Sequence, residues 1–261
     1  MIKALYTSAT GMRVNQFLLD VTANNLANVN TTGFKRVQAN FQDLLYDKFI
    51  PAGVESAQGI QVPTGLEVGS GARVVSTNKT FTQGVPTNTN RDLDLSIQGD
   101  GFFQISHPDG ATVYTRDGTF QLNSDGEMVT AEGLKLEPSI SITGDVVAIS
   151  IGTDGTVSTQ SSDGTSQSLG QITIANFPNP PGLESVGRNL LRETTASGTP
   201  LTGTPGEEGF GNLIQGFLES SNVQIATEMV NIIVSQRAFE ASSKAISASD
   251  DMLAVTNRLV S

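Results

Sequence analysis

The chain has 261 residues, 37% apolar and 16% charged, with 27 glycines, one histidine and neither cysteine nor tryptophan. Without cysteine there is no disulfide framework, no thiol nucleophile and no Cys-ligated zinc or iron–sulfur centre, and one histidine excludes a multi-histidine metal site. The formal charge of −11 is unevenly placed: residues 91–208 hold 16 acidic and 5 basic side chains, and the remainder balances.

An acidic middle argues against nucleic acid, whose phosphates need a basic face. Near-neutral ends suit packing against other copies of the chain. No apolar run is long enough to span a bilayer. Met1-Ile2-Lys3 leads into an amphipathic stretch broken by Arg13 and Asn15, not the apolar run of a signal peptide.

In chain order, the first 28 residues predict a helix. Leu5, Ala9, Met12, Gln16, Leu19, Ala23 and Leu26 alternate spacings of four and three, a coiled-coil seam with one polar member. The pattern stops at Asn28-Val29-Asn30-Thr31-Thr32-Gly33, residues that end helices. Residues 34–92 carry few helix signals after Tyr46 and read as extended, with long strands near 67–85.

From Leu93 the period changes to two, with Leu93, Leu95 and Ile97 alternating. Asp-Gly pairs follow at 100, 109, 117, 125, 154 and 163, with β-formers between them. Asp-Gly supplies the positive φ of tight hairpin turns, so 93–192 predicts an all-β domain arranged as a meander. Val146–Ile151 and Ile172–Ile174 continue it. Residues 193–211, rich in Gly, Pro and Thr, read as loop.

The C-terminal stretch has the strongest pattern. Ile225, Ile232, Phe239, Ile246, Leu253 and Val260 recur every seven residues. A second seam runs through Val234, Ala238, Ala241, Ala245, Ala248, Met252, Val255 and Leu259. At about 100° per residue the two seams lie on opposite faces of one helix from about Asn222 to Val260. One partner inside the chain covers only one face. The expected class is therefore α+β, with a mainly-β middle inserted between terminal helices that pair as a coiled-coil-like core. The helical core is 1–33 and 217–261, the extended connections are 34–92 and 193–216, and the β domain is 93–192.

Signals for chemistry are weak. His107 lies in Ile-Ser-His-Pro-Asp-Gly, a turn between strands, with no grouping of Ser and Asp around it. Gly99-Asp100-Gly101-Phe102-Phe103-Gln104 opens like a dinucleotide fingerprint, but Gln replaces the last Gly and no βαβ unit follows. It reads instead as a tight turn opening a strand, with Phe102 and Phe103 on opposite faces. Asp92-Leu93-Asp94 and the Asp-Gly pairs lack the Gly and Glu positions of a calcium loop. No enzyme activity, cofactor or metal is expected.

Four segments resemble the bacterial flagellar rod and hook proteins. They are Ala23-Asn24-Asn25-Leu26-Ala27-Asn28-Val29-Asn30-Thr31-Thr32-Gly33-Phe34-Lys35-Arg36; Gly99-Asp100-Gly101-Phe102-Phe103; Tyr114-Thr115-Arg116-Asp117-Gly118-Thr119-Phe120; and Gly216-Phe217-Leu218-Glu219-Ser220-Ser221-Asn222-Val223 running through Glu228-Met229-Val230 to Gln236-Arg237-Ala238-Phe239-Glu240. The length and the stretch from Asp43 to Val74 fit members of the distal rod better than hook members.

The resemblance implies a subunit that is exported unfolded through the flagellar type III apparatus and polymerises helically in the periplasm. The polymer is a hollow shaft that transmits torque from motor to hook, passes export substrates and turns inside the outer-envelope rings. Its partners are copies of itself, proximal rod and hook subunits, the ring proteins and the export apparatus, with no nucleic acid and no membrane insertion. Leu5, Met12, Leu19 and Leu26 are expected to pack against Ile225, Ile232, Phe239 and Ile246. Ala238, Ala241, Ala245 and Ala248 are expected to face neighbouring subunits. Gly33, Phe34, Met229 and Leu253 complete the assembly positions, and Asn24, Asn25 and Asn28 either bond between chains or cap the helix end.

Overall fold

In the computed structural model the chain opens with helix α1, Ile2–Ala27, and closes with helix α2, Ile225–Val260. The structure describes residues 2–53, 55–57, 60–61, 63–143, 146–162 and 164–260. Asp163 of the last Asp-Gly pair, and the side chains of Leu259 and Val260, lie outside that description. At about 1.5 Å per residue, the 36 residues of α2 extend for about 54 Å.

The chain divides into two units, a helical one of residues 1–27, 37–78 and 224–261 and a β one of residues 28–36 and 79–223. The expected connecting region 34–92 is thus shared. Its strands Val37–Asp43 and Ala72–Lys79 pair, as do Tyr46–Ile50 and Leu66–Gly69, and these accompany the helices. Residues from Lys79 onward join the β unit.

In the helical unit, the first of these pairs backs α1 closely. A Cβ on Gly71, whose φ is +113°, would stand 2.1 Å from Thr10 Oγ1. Lys3 Nζ donates to Asp47 Oδ2 at 2.5 Å and to the Val68 carbonyl at 3.0 Å. It also lies 5.8 Å from the Phe49 ring centroid, so the second hairpin grips the start of α1.

The β unit is built on one antiparallel path. Its order is Phe120–Leu122, Met128–Thr130, Lys135–Glu137, Phe102–Ser106, Thr112–Thr115, Leu190–Arg192 and Glu184–Gly187, with Ile174–Asn176 and Leu201–Gly203 attached. A three-stranded sheet of Val146–Ile151, Thr156–Ser161 and Ser166–Gln171 stands beside it. Alternation along the strands sorts the side chains. Phe103, Ile105, Val113 and Phe120 fall in one buried cluster with Leu95 and Ile97. Phe102, Tyr114 and Phe177 fall in a second. Phe102 and Phe103 therefore do serve opposite faces.

Three Asp-Gly pairs turn hairpins as expected. Gly110, Gly126 and Gly155 have φ of 79°, 76° and 82° and join strands that pair with each other. The pairs at 100–101 and 117–118 do not: Leu95–Gln98 pairs with Asn212–Gln215, not with Phe102–Ser106. Thr112–Thr115 pairs with Phe102–Ser106 and Leu190–Arg192, whereas Phe120–Leu122 pairs with Met128–Thr130. Gly118 is needed for space instead: a Cβ there would lie 1.7 Å from the Leu95 carbonyl oxygen. The simple meander is corrected to a sheet with long returns.

Residues 193–216 are also more ordered than their composition suggests. Leu201–Gly203 pairs with Ile174–Asn176, and Asn212–Gln215 pairs with Leu95–Gln98. Asn176 Nδ2 holds the Gly209 carbonyl at 2.9 Å, and Ser197 is fully buried with its Oγ donating to the Thr194 carbonyl. Long-range pairing, not local propensity, makes these strands.

Burial, with Glu193 alongside, pushes the Tyr114 phenol up to about 12. A group whose folded value is raised above its unfolded one contributes stability that is complete below the unfolded value, about 10, and lost on the way to 12. Unfolding of the β unit is therefore expected to become easier between about pH 10 and 12, and Tyr114→Phe is expected to flatten that dependence. Thermal unfolding measured at pH 8, 10 and 11.5 in both proteins checks it.

Candidate assembly surfaces

Helix α2 has one face that is partly covered within the chain and one that is not. Ile232, Phe239, Ile246 and Leu253 are half-buried, and the positions between them are Ser235, Ser242 and Ser249. Ser235 and Ser249 are buried. Gly11 of α1 sits against Ser242, where an added Cβ would be 3.4 Å from its Oγ. Gly11 lies sixteen residues before Ala27 and Ser242 seventeen after Ile225, the offset of an antiparallel pair.

The serines were not among the expected interface positions, although they too recur every seven residues. Each satisfies its own hydroxyl. Ser235, Ser242 and Ser249 donate to the carbonyls of Asn231, Ala238 and Ala245 at 2.7, 2.9 and 2.8 Å. A hydroxyl bonded back into its helix can be buried without a partner across the interface.

The other face of α2 is open in the single chain. Val234, Met252 and Val255 are more than half exposed, and Ala241, Ala245 and Ala248 are exposed between them. The second hairpin of the helical unit is similarly apolar outward, through Tyr46, Phe49, Ile50, Leu66 and Val68. Exposed apolar surface on this scale marks an interaction site.

A second feature lies inside the β unit. Glu219, Lys35 and Arg116 are all buried. Glu219 Oε1 accepts Lys35 Nζ at 2.5 Å and the Gly84 N–H at 2.8 Å, and Oε2 lies 3.5 Å from Arg116 Nε. Lys35 Nζ also donates to the Thr82 carbonyl at 2.8 Å. Arg116 Nη2 donates to the Gly99 carbonyl at 2.6 Å, and its guanidinium lies 5.7 Å from the Phe102 ring.

Burial pushes the Lys35 ammonium below its ordinary value, opposed by Glu219. It lowers Arg116 likewise, against Glu219 and Asp100. Backbone closes the same knot: the Gly33 N–H donates to the Glu219 carbonyl at 2.8 Å, and Asn222 Oδ1 takes the Arg36 N–H at 2.7 Å. All four segments quoted above as motifs meet here.

Three family descriptions match the chain. "Flagella basal body rod protein" covers residues 5–35, "Flagellar hook protein FlgE/F/G D1 domain" covers 96–159, and "Flagellar basal body rod FlgEFG protein C-terminal" covers 214–259. The flagellar basal-body rod protein FlgG of Borreliella burgdorferi is 46% identical over 99% of both chains. The protein of the same name from Caulobacter vibrioides is 45% identical over 99% of both.

The chain belongs to the flagellar rod and hook protein family.

The flagellar hook protein FlgE of Helicobacter pylori is 43% identical over 52% of this chain, but that covers only 19% of the hook protein. Each of the three family matches contributes one member of the buried cluster: Lys35, Arg116 and Glu219.

Among the expected site residues, Leu5, Met12, Leu19 and Leu26 are half-buried along α1. Ile232, Phe239, Ile246 and Leu253 share the covered face of α2. Ile225 does not follow them, being 50% exposed in the first turn; Glu228 is the buried residue there. Met229 is 52% exposed.

Asn25 bonds within the chain. Its Nδ2 donates to the Val37 carbonyl at 2.8 Å and its Oδ1 accepts the Val37 N–H at 2.9 Å, which ties α1 to the first strand. Asn28 Oδ1 accepts Thr31 Oγ1 and its carbonyl accepts the Thr31 N–H, closing the helix end, and Asn24 is exposed on α1. Gly33 needs its φ of 67° and its bare Cα, since a Cβ would stand 2.7 Å from the Arg116 backbone; the next residue, Phe34, is half-buried. His107 lies in the turn 107–110 with Nδ1 3.1 Å from Asp109 Oδ2. Among the described residues no three His, Asp or Glu side chains gather to hold a metal, and no helix is long and apolar enough to cross a membrane.

Proposed function

We propose that this chain is a structural subunit of the distal part of the flagellar rod. The observation that carries the reading is its likeness over 99% of both lengths to proteins named flagellar basal-body rod protein, against 19% of a hook protein. The uncovered apolar face of α2 supports polymerisation. Repeating one head-to-tail contact that does not close generates a helical filament, and small Ala side chains allow close approach of a neighbour.

In this reading the helices of successive copies form the inner tube of a hollow shaft in the periplasm. The β units lie outside, where the ring proteins of the outer envelope surround them. Proximal rod and hook subunits bind the two ends of the polymer. The subunit arrives through the flagellar type III export apparatus without a cleaved signal peptide, and it performs no catalysis.

Electron microscopy of basal bodies from cells lacking the chain tests the placement. A short rod without hook or outer rings is the expected result. A complete rod that ends without a hook would move the protein outward to the hook. Ala245→Glu tests the surface. The residue is exposed in the single chain, so the purified variant is expected to unfold within about 0.5 kcal/mol of the parent. The same variant is expected to leave cells without complete rods, because assembly would bury an unpaired carboxylate. Normal swimming by that variant would exclude this face from the polymer.

A further inference from the structure

We infer that Glu219 is a positioning residue: its one buried carboxylate neutralises the Lys35 ammonium and the Arg116 guanidinium, and so lets the segment arriving from α1 stay packed against the segment leaving for α2. The inference rests on the rod-subunit reading for its consequence in assembly, but its geometry lies wholly within the β unit.

The arrangement concentrates several demands on one side chain. Glu219 sits in the strand Phe217–Glu219, paired through Glu219 with Pro86, just before the chain turns to α2. Lys35 ends the segment that has just left α1, 184 residues away in sequence. Oε1 joins that lysine to the Gly84 N–H, Oε2 faces the guanidinium of Arg116, and the carbonyl holds the Gly33 N–H. Asn222, three residues on, adds a second tie through the Arg36 N–H and the carbonyls of Thr80 and Thr82. Glycine is needed where the segments touch: a Cβ on Gly84 would lie 1.8 Å from the Ser220 carbonyl oxygen.

The charge balance is lopsided. Two buried cations share one buried carboxylate. Removing Lys35 leaves a matched Arg116–Glu219 pair. Removing the charge of Glu219 leaves two like charges with only the exposed Asp100 to offset them, in a site that burial already disfavours. The sheet core meets the charged cluster at Phe102, whose ring lies 5.7 Å from the Arg116 guanidinium. Loss of the carboxylate should release the two segments and leave the sheet.

The test uses the full-length chain and reads amide hydrogen exchange together with complementation of cells lacking the protein. In Glu219→Gln, the Gly33 and Gly84 amides are expected to exchange roughly 100-fold faster, while amides of the Phe102–Ser106 and Thr112–Thr115 ladder stay within about threefold. Rods are expected to be incomplete. Lys35→Met alone is expected to keep both protections within about tenfold and to support swimming. Lys35→Met combined with Glu219→Gln is expected to regain most of the lost protection, which a purely steric role would not give.

Unchanged protection at Gly33 and Gly84 in Glu219→Gln overturns the proposal. So does loss of ladder protection in parallel, which would make Glu219 a general fold residue. If Glu219→Gln yields no folded protein, the double variant decides: recovery of folding supports charge balance, and failure equal to the single variant overturns it. If the parent chain itself restores no rods, the rod-subunit reading fails, while the exchange result still stands or falls alone.

Discussion

Phe239→Asp is expected to abolish rod assembly. Phe239 lies mid-way along the covered face of α2, with Ile232 and Ile246 one heptad to either side. The substitution removes aromatic contact and places a carboxylate on the face that pairs with α1, where the surrounding hydroxyls are already bonded to their own helix. The cost to helix pairing is about 3 kcal/mol or more, enough to outweigh the contribution of a whole heptad layer. Phe239→Leu keeps most of the apolar contact and should assemble. Swimming assays and electron microscopy of basal bodies compare the two, and normal rods from Phe239→Asp would overturn the assignment of this seam.

Gly118→Ala is expected to have the largest effect on the β unit. The added methyl would stand 1.7 Å from the Leu95 carbonyl oxygen, a backbone atom held by pairing of Leu95 with Gln215. The strands must separate to admit it, at about 3 kcal/mol or more. For a unit of this size that is a fall in Tm of roughly 10 °C. Gly110→Ala is the contrast. That glycine has nothing within 4 Å but a φ of +79°, so the cost there is backbone strain alone, about 1–2 kcal/mol. Calorimetry of both variants should rank them in that order; the reverse order would mean that the Gly118 approach relaxes without cost.

Elements whose signal is periodic were legible in the sequence. The helix ends at Ala27 and Ile225 fall within three residues of their expected places, because the apolar spacing and the Asn-rich stop are local. The turns at Gly110, Gly126 and Gly155 were legible for the same reason: positive φ is a demand of the turn itself. The strand Leu201–Gly203 was not, since its Leu-Thr-Gly composition carries no strand signal and only pairing with Ile174–Asn176 makes it one.

Gly118 followed the spacing of the hairpin glycines but answers to a crowding partner 23 positions away. The buried cluster was least legible of all. Lys35, Arg116 and Glu219 each read locally as an ordinary surface charge, and only the folded chain brings them together. The heptad of Ser235, Ser242 and Ser249 was present in the sequence as plainly as that of Phe239. A hydroxyl qualifies as a seam residue only where its donor bonds to the preceding turn, which the folded helix shows and the sequence does not.

That hydroxyl repeat makes α2 a sliding fit. Ile232, Phe239, Ile246 and Leu253 alternate with Ser235, Ser242 and Ser249, and Thr256 continues the series by donating to the Met252 carbonyl. Displaced by one heptad, about 10.5 Å along its axis, α2 would offer α1 nearly the same sequence of knobs and hollows. A coiled coil normally resists such slippage with a polar side chain that demands one partner across the seam. The hydroxyls here turn inward to their own helix and make no such demand. Gly11 against Ser242 gives only a match of size. The repeat itself therefore specifies the spacing of layers along α2 but not which of them meets Gly11.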